Sequence, residues 1–253
     1  RLAQSLPQTG LGGGGNVIWQ LVVDLGLINP FFVSRPTDVF NELLLQAQSG
    51  ILFRNIAESL KSFGLALGLA ASVGIVLGLL AGWFRDVEAA LNPFIWFKYS
   101  APTIAFYPIF IAFLGYGTPT IVAIAFLFAL TPIYANTLSG IRNADRDLVR
   151  AAHAFGARPA DIFLKVVLPG SVPIVVAGLR LGVGRALTGV VVAELFGATA
   201  GLGFSIAQHS QRLQTNKMMV SILVIIILGV ILTQILSWLE KRTDAWRVPA
   251  HEP

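Results

Sequence analysis

No charged residue occurs between Tyr99 and Ile141. At about 1.5 Å per helical residue, that run is long enough to cross a hydrocarbon layer about 30 Å thick twice. The turn-like GYGTPT, Gly115 to Thr120, divides it into two spans. Phe63 to Phe84 makes another, as does Met218 to Leu239, and Gly170 to Gly197 is a further span interrupted by Arg180, Arg185 and Glu194. Five membrane helices are therefore expected. A chain of 253 residues that is 55% hydrophobic and 12% charged carries too much apolar surface for one soluble core. The fold class is all-α and integral to a membrane.

The N-terminal end is less regular. Asn16 to Ser34 is apolar in patches but carries Asp24 and the helix-breaking Asn29-Pro30, while the Gly-rich start from Leu11 reads as linker. A sixth helix, incomplete at its start, is expected there. The chain divides into a Gly-rich segment 1–15, a first helix with its following segment 16–55, a membrane domain 56–241 and a tail 242–253.

Absence of Cys excludes disulfides and thiolate chemistry. The net charge of +5 does not point to nucleic acid in so apolar a chain, because basic residues of membrane proteins gather in cytoplasmic loops. Placing the polar stretch Arg142 to Pro169 inside also places the Arg85 to Lys98 segment and the C-terminus inside. Those segments hold Arg85, Lys98, Arg142, Arg146, Arg150, Arg158, Lys165, Lys241, Arg242 and Arg247, against Arg35, Arg54, Lys61, Arg212 and Lys217 opposite.

Within that stretch, Leu148, Ala151, Ala152 and Phe155 recur at i, i+3, i+4, i+7, which puts them on one helix face with Arg146 and Arg150 on the other. Gly156 permits a sharp exit and Pro159 suits the first turn of a second helix. Such a face can seat in a partner's groove with Phe155 as anchor, or lie on lipid headgroups. The full run RAAHAFGARPADIFLKVVLP, from Arg150 to Leu168-Pro169, resembles the coupling loop of bacterial ABC import permeases. That signature reads Glu-Ala-Ala, three residues, Gly, nine residues, Ile, one residue, Leu-Pro. Arg150 replaces its Glu and Val166 its Ile.

The resemblance implies a type I importer permease in the bacterial cytoplasmic (inner) membrane, with six helices and no enzymatic activity of its own. It implies two ATPase subunits docked on a permease dimer, a second copy of this chain being the expected partner, and an extracytoplasmic substrate-binding protein. No cofactor is expected in this chain. It has no GxxxxGK[ST] phosphate loop, so ATP and Mg belong to the partner ATPase. Arg150 in place of Glu implies a facing ATPase groove with an acidic residue.

Charged groups within spans face protein or water rather than lipid. Arg180 and Glu194 lie fourteen residues apart, close to four turns, and so share roughly one face. GLR at Gly178 and VVAE at Val191 resemble the family's fifth helix, which borders the translocation path. Arg180, Arg185 and Glu194 are candidates for that path, with Tyr134, Asn136 and Gln234. The structural alternative has Arg180 reaching the cytoplasmic surface, Glu194 near the outer interface and Tyr134, Asn136 and Gln234 as helix contacts. Gly64 and Gly68, then Gly74, Gly78 and Gly82, repeat at four-residue spacing, as do Gly178 and Gly182. Dimer contact and packing within one subunit account for them equally.

LGLINPFF, GLGF and the LE at Leu239-Glu240 extend the resemblance to the nitrate, taurine, aliphatic sulfonate and bicarbonate import group. A small anion is the implied solute, with thiamine-precursor import as alternative. A secondary transporter should carry an inverted repeat, which is not evident. An intramembrane hydrolase could use Ser205 and His209, one turn apart, but no carboxylate accompanies them in that segment.

Overall fold

The computed structural model describes residues 34–243, and every regular element among them is helical. In order these are α1 (Pro36–Gln48), α2 (Ile51–Trp83), α3 (Arg85–Ser100), α4 (Tyr107–Leu114) after a short 3-10 turn, α5 (Thr118–Arg142), α6 (Arg146–Ala154), α7 (Pro159–Ile162), α8 (Leu168–Gly197), α9 (Leu202–Gln211) and α10 (Thr215–Thr243). The expected N-terminal helix, the Gly-rich segment and most of the tail lie outside the described residues.

Four helical stretches are long and apolar enough to cross a membrane: Ile51–Trp83, Thr118–Arg142, Pro159–Gly197 and Thr215–Trp238. The fifth expected span is not one rod. Arg85–Ser100 and Thr103–Leu114 pass the same test only together, and they meet at 96°. Ala101 is the cause, because a residue preceding proline is pushed out of the helical region, and its ψ of 138° is extended. Pro102 then offers no N–H to continue the ladder.

Helix α2 begins twelve residues before its charge-free run. Its first turns carry Arg54, Glu58 and Lys61 on an exposed side, where Lys61 and Glu58 lie 3.9 Å apart. At about 1.5 Å per residue its 33 residues span about 50 Å, so it outreaches the hydrocarbon layer.

Packing register sets the topology. Gly74, Gly78 and Gly82 of α2 face Ile133, Thr137 and Ile141 of α5, so these helices run in parallel. The bent α3–α4 pair therefore carries the chain back between them. Gly178, Gly182 and Gly189 of α8 face Asn136, Ile133 and Ala125, which makes α8 antiparallel to α5. Arg180 with Glu240, and Leu187 with Gly229, make α10 antiparallel to α8. One end of the bundle, the foot, thus gathers Trp83, the loop 142–169 and the end of α10. The other, the head, gathers the starts of α2 and α5 and the α8–α10 connection.

At the centre α5 is clamped on both sides, with Ala66, Ala70, Ile124, Ala125, Ala129, Ile133, Val183, Ala186 and Val190 buried together. Lipid offers apolar side chains nearly what the interior does, so close backbone approach and dispersion hold this core. Gly78 shows how close: an added Cβ would fall 2.5 Å from Thr137 Cβ. Gly64 and Gly68 meet nothing within 4 Å. The glycine stripe therefore divides, its foot half packing inside the subunit and its head half open.

Lys98 departs from its expected place at the foot. Its ammonium donates to Thr131 Oγ1 at 2.6 Å, and Thr131 lies eleven residues from the foot end of α5, about 16 Å along its axis.

Candidate functional site

The foot loop is built as an elbow. Asp145 caps α6, its carboxylate accepting from the N–H groups of Asp147 at 2.8 Å and Leu148 at 3.2 Å. The helix ends in a Schellman motif: Gly156 N–H donates to His153 O and Ala157 N–H to Ala152 O, with Gly156 at φ 73°. Pro159 then starts α7. Before α8 the backbone widens into a π turn over Phe163–Val167, where Leu168 N–H donates to Phe163 O five residues back. Pro169 accounts for this, because it lacks an N–H and its ring crowds the carbonyl four residues earlier.

Two faces of the elbow have different tasks. Ile141, Ile162 and Val167 are buried together, with Val149, Ala152 and Ala157 packed on them, and Trp83 packs on Phe163 with the rings tilted by 59° and 4.8 Å between centroids. Outward stand Leu148, Ala151 and Phe155, the last 91% exposed. The expected four-residue face therefore splits. Ala152 sits at the edge of that face, between Leu148 and Val149, and packs with Val149 toward the bundle, leaving Leu148, Ala151 and Phe155 outside. Arg150 is exposed and reaches only Asp147, at 3.3 Å. Arg142 ion-pairs with Glu88, tying the elbow's entry to the first turn of α3. Leu168 and Pro169 are half-buried at the junction with α8.

The intramembrane candidates do not form one polar lane. Arg180 and Arg185 are exposed and line an open cleft of about 650 Å³ between α8 and α10, with Thr188, Thr233 and Glu240. Arg180 donates to Glu240 at 3.0 Å. Glu194 is 1% exposed and faces inward at the head. Arg180 and Glu194 differ in surroundings because α2 and α9 close over α8 at Glu194, whereas Arg180 opens on the cleft toward α10. Tyr134 is buried, its hydroxyl donating to Asn92 at a long 3.4 Å. Asn136 donates to Pro132 O at 2.8 Å and packs against Gly178, a helix contact. Gln234 is exposed on α10 outside that cleft.

Glu194 belongs to a cluster that joins the GLGF run at Gly201 to Asn55 and Ser59, two residues the sequence did not single out. Its carboxylate accepts from Ser59 Oγ at 2.8 Å and from Gly203 N–H at 2.8 Å. Ser59 Oγ accepts from Leu202 N–H at 2.9 Å, and Asn55 Oδ1 from Gly201 N–H at 3.3 Å. A carboxylate thus stands at the N-terminus of α9, where helix N–H groups lack intrahelical partners. The available signal was two small polar residues, Asn55 and Ser59, four apart and so on one helix face, but Arg54, Glu58 and Lys61 around them mask it.

Ser205 and His209 engage different groups, which separates them as a nucleophile and base. Ser205 Oγ accepts from Ser221 Oγ at 2.9 Å, while His209 Nδ1 lies 3.0 Å from Gln214 Oε1. Among the described residues no three His, Asp or Glu side chains are placed to hold a metal ion.

Residues 74–245 match the family model described as binding-protein-dependent transport system inner membrane component. The putative aliphatic sulfonates transport permease protein SsuC of Bacillus subtilis (strain 168) is 32% identical over 91% of this chain and 83% of its own length. The taurine transport system permease protein TauC of Escherichia coli (strain K12) is 32% identical over 90% of this chain and 85% of its own. A chain of the inward-facing MetNI methionine ABC transporter has the same fold, with a TM-score of 0.63 at 22% identity, covering 78% of this chain and 97% of that one. The matched segment runs from the middle of α2 through the elbow and α8 to the end of α10, so the chain belongs to the binding-protein-dependent inner membrane components, the permease subunits of ABC importers.

Proposed function

We propose that this chain forms the translocation path of an ATP-driven importer for a small sulfonate or related anion, and that the elbow 142–169 receives its motor. The two-sidedness of the elbow carries the reading. Its inner face is clamped onto α2, α5 and the foot of α8, so a push on Phe155 or Leu148 reaches three long helices as a rigid-body displacement. Its outer face offers one aromatic and one aliphatic side chain beside alanine, with Arg150 at the edge, which suits a protein groove better than a headgroup layer.

In this reading the foot is cytoplasmic. Arg85, Arg142, Arg146, Arg150, Arg158 and Lys165 gather there, which agrees with the retention of cationic segments inside. The bent α3–α4 pair acts as a broken fifth crossing. Two ATPase subunits, holding ATP and Mg, close against each other and draw together the elbows of two copies of this chain. The head, braced by Glu194, receives the binding protein. Sulfonate and taurine are preferred as solutes because the sulfonate and taurine permeases align over nine-tenths of the chain.

The test is uptake of radiolabelled taurine and ethanesulfonate by the reconstituted complex of this chain with its ATPase and binding protein. Uptake depends on ATP and disappears when the ATPase loses its catalytic carboxylate. Uptake that persists without ATP, or purification of the chain free of any ATPase, overturns the reading.

A further inference from the structure

Two cations, Lys98 and Arg185, lie at nearly the same depth halfway through the bundle, and among the described residues neither is ion-paired. Lys98 bonds to Thr131 in mid-α5. Gly182 of α8 seats against Ile133 and the Ala129 carbonyl, at that same level, and Arg185 is three residues further along, within about 5 Å in depth. Arg185 lies within Coulombic range of Lys98 and is exposed on the open side of α8. Among the described residues neither has a carboxylate within ion-pair distance: Glu240, which lines the same cleft as Arg185, pairs with Arg180, and Glu88 pairs with Arg142 at the foot. Lys98 is held by a neutral hydroxyl only.

Such an arrangement is costly unless something offsets it. A single cation at mid-membrane depth is costly, and a like neighbour adds repulsion. A fixed carboxylate would remove that cost and also fill the site. Two cations without one leave a standing demand for a mobile anion. Their chemistry is complementary: the Arg185 fork can hold two acceptor oxygens of a sulfonate, while the Lys98 ammonium supplies a point charge with three rotatable donors.

We propose that Lys98 and Arg185 form an anion-binding station at the middle of the translocation path, selecting for the anionic head of the solute. This rests on the reading of the chain as an anion-importing permease, and it assigns to Lys98 a role that neither its sequence context nor its place in the matched family segment supplies.

The test uses the complete importer, reconstituted with its ATPase and binding protein, and radiolabelled ethanesulfonate as probe. Uptake falls about tenfold or more in Lys98→Met and in Arg185→Met, Lys98→Arg restores most of it, and the subunits co-elute in every case. Thr188→Asp sets a fixed carboxylate on the same exposed face one turn from Arg185. It pairs the cation rather than stranding it, so its loss of uptake supports the station even where a Met variant fails to assemble. Wild-type uptake in Lys98→Met, Arg185→Met and Thr188→Asp overturns the station alone. Separation of the permease copies in the Met variants, with Thr188→Asp transporting normally, assigns the cations to subunit contact and also overturns it. If the unaltered importer takes up neither ethanesulfonate nor taurine, nitrate or bicarbonate, the proposed function fails and the station with it.

Discussion

Ser59 on α2 donates its hydroxyl to the Glu194 carboxylate on α8, joining residues 135 positions apart at 2.8 Å. The same carboxylate accepts Gly203 N–H, so one buried side chain holds α2, α8 and the start of α9 together. Glu194→Ala strands two buried donors, a cost of about 2–5 kcal/mol. Glu194→Gln keeps one acceptor oxygen but turns an amide NH2 toward the remaining donor, and loses about half as much. Arg180→Ala on the same helix removes a partly exposed pair and changes stability by about 1 kcal/mol or less. Thermal unfolding of the three purified variants in detergent checks the order, and equal losses would show that Glu194 is no brace.

The divided glycine stripe predicts opposite outcomes for similar substitutions. At Gly78 even a methyl group falls 2.5 Å from Thr137 Cβ, so Gly78→Ala forces α2 off α5 and costs about 1–3 kcal/mol. Gly68→Ala meets nothing within 4 Å and gains helix propensity, so stability holds or rises by up to about 1 kcal/mol. Melting temperatures of the two variants decide. A loss at Gly68 comparable to that at Gly78 would mean that the head half of α2 is packed too.

Why some of this was legible in the sequence and some was not follows from where each signal resides. Apolar run length is local, so α5, α8 and α10 were readable nearly to their ends. Gly156 and Pro159 act through their own backbone, and the elbow's turns stand where those residues predict. Span counting measures charge, however, and α2 continues through Arg54, Glu58 and Lys61 because a helix may leave the membrane without ending. Lys98 was misplaced for a related reason. Its charge suggested a surface segment, while the Ala101-Pro102 bend tips α3 so that its end reaches the middle of α5. The partners of Glu194 come from two distant segments, and no spacing within one segment reveals them.

His209 on α9 gives the head a pH dependence. Burial pushes its imidazole below the ordinary value of 6.5; the hydrogen bond with Gln214 opposes that shift, nearby Lys217 and Arg212 add to it, and Glu42 opposes it. The folded state thus favours neutral His209, and below about 6.5 the unfolded chain binds the extra proton. Stability from this residue is complete above pH 6.5 and is lost as pH falls through the lowered folded value. Melting temperature between about pH 7.5 and about pH 5 falls in the native protein. His209→Gln flattens that fall, and an unchanged profile would remove His209 as its source.

The elbow predicts that docking and anchoring separate by face. Phe155→Ala and Leu148→Ser remove outward groups that touch nothing in this chain's core, so the permease keeps its melting temperature while the ATPase co-purifying with it falls by about tenfold or more. Ala152→Asp buries a charge against Val149 and Ile162, so the loop itself loosens and hydrogen exchange rises over the elbow. Arg150 tests the charge of the facing groove. Its pairing with Asp147 is solvent-exposed and worth well under about 1 kcal/mol, so the guanidinium is available to a partner at little cost. If the elbow docks in an acidic ATPase groove as proposed, Arg150→Glu sets like charge against it and weakens ATPase binding by about five- to fiftyfold. An acid-to-Lys exchange in that groove restores it. Unchanged affinity in Arg150→Glu would leave the departure from the family's Glu without electrostatic meaning, and docking would then rest on Leu148, Ala151 and Phe155 alone.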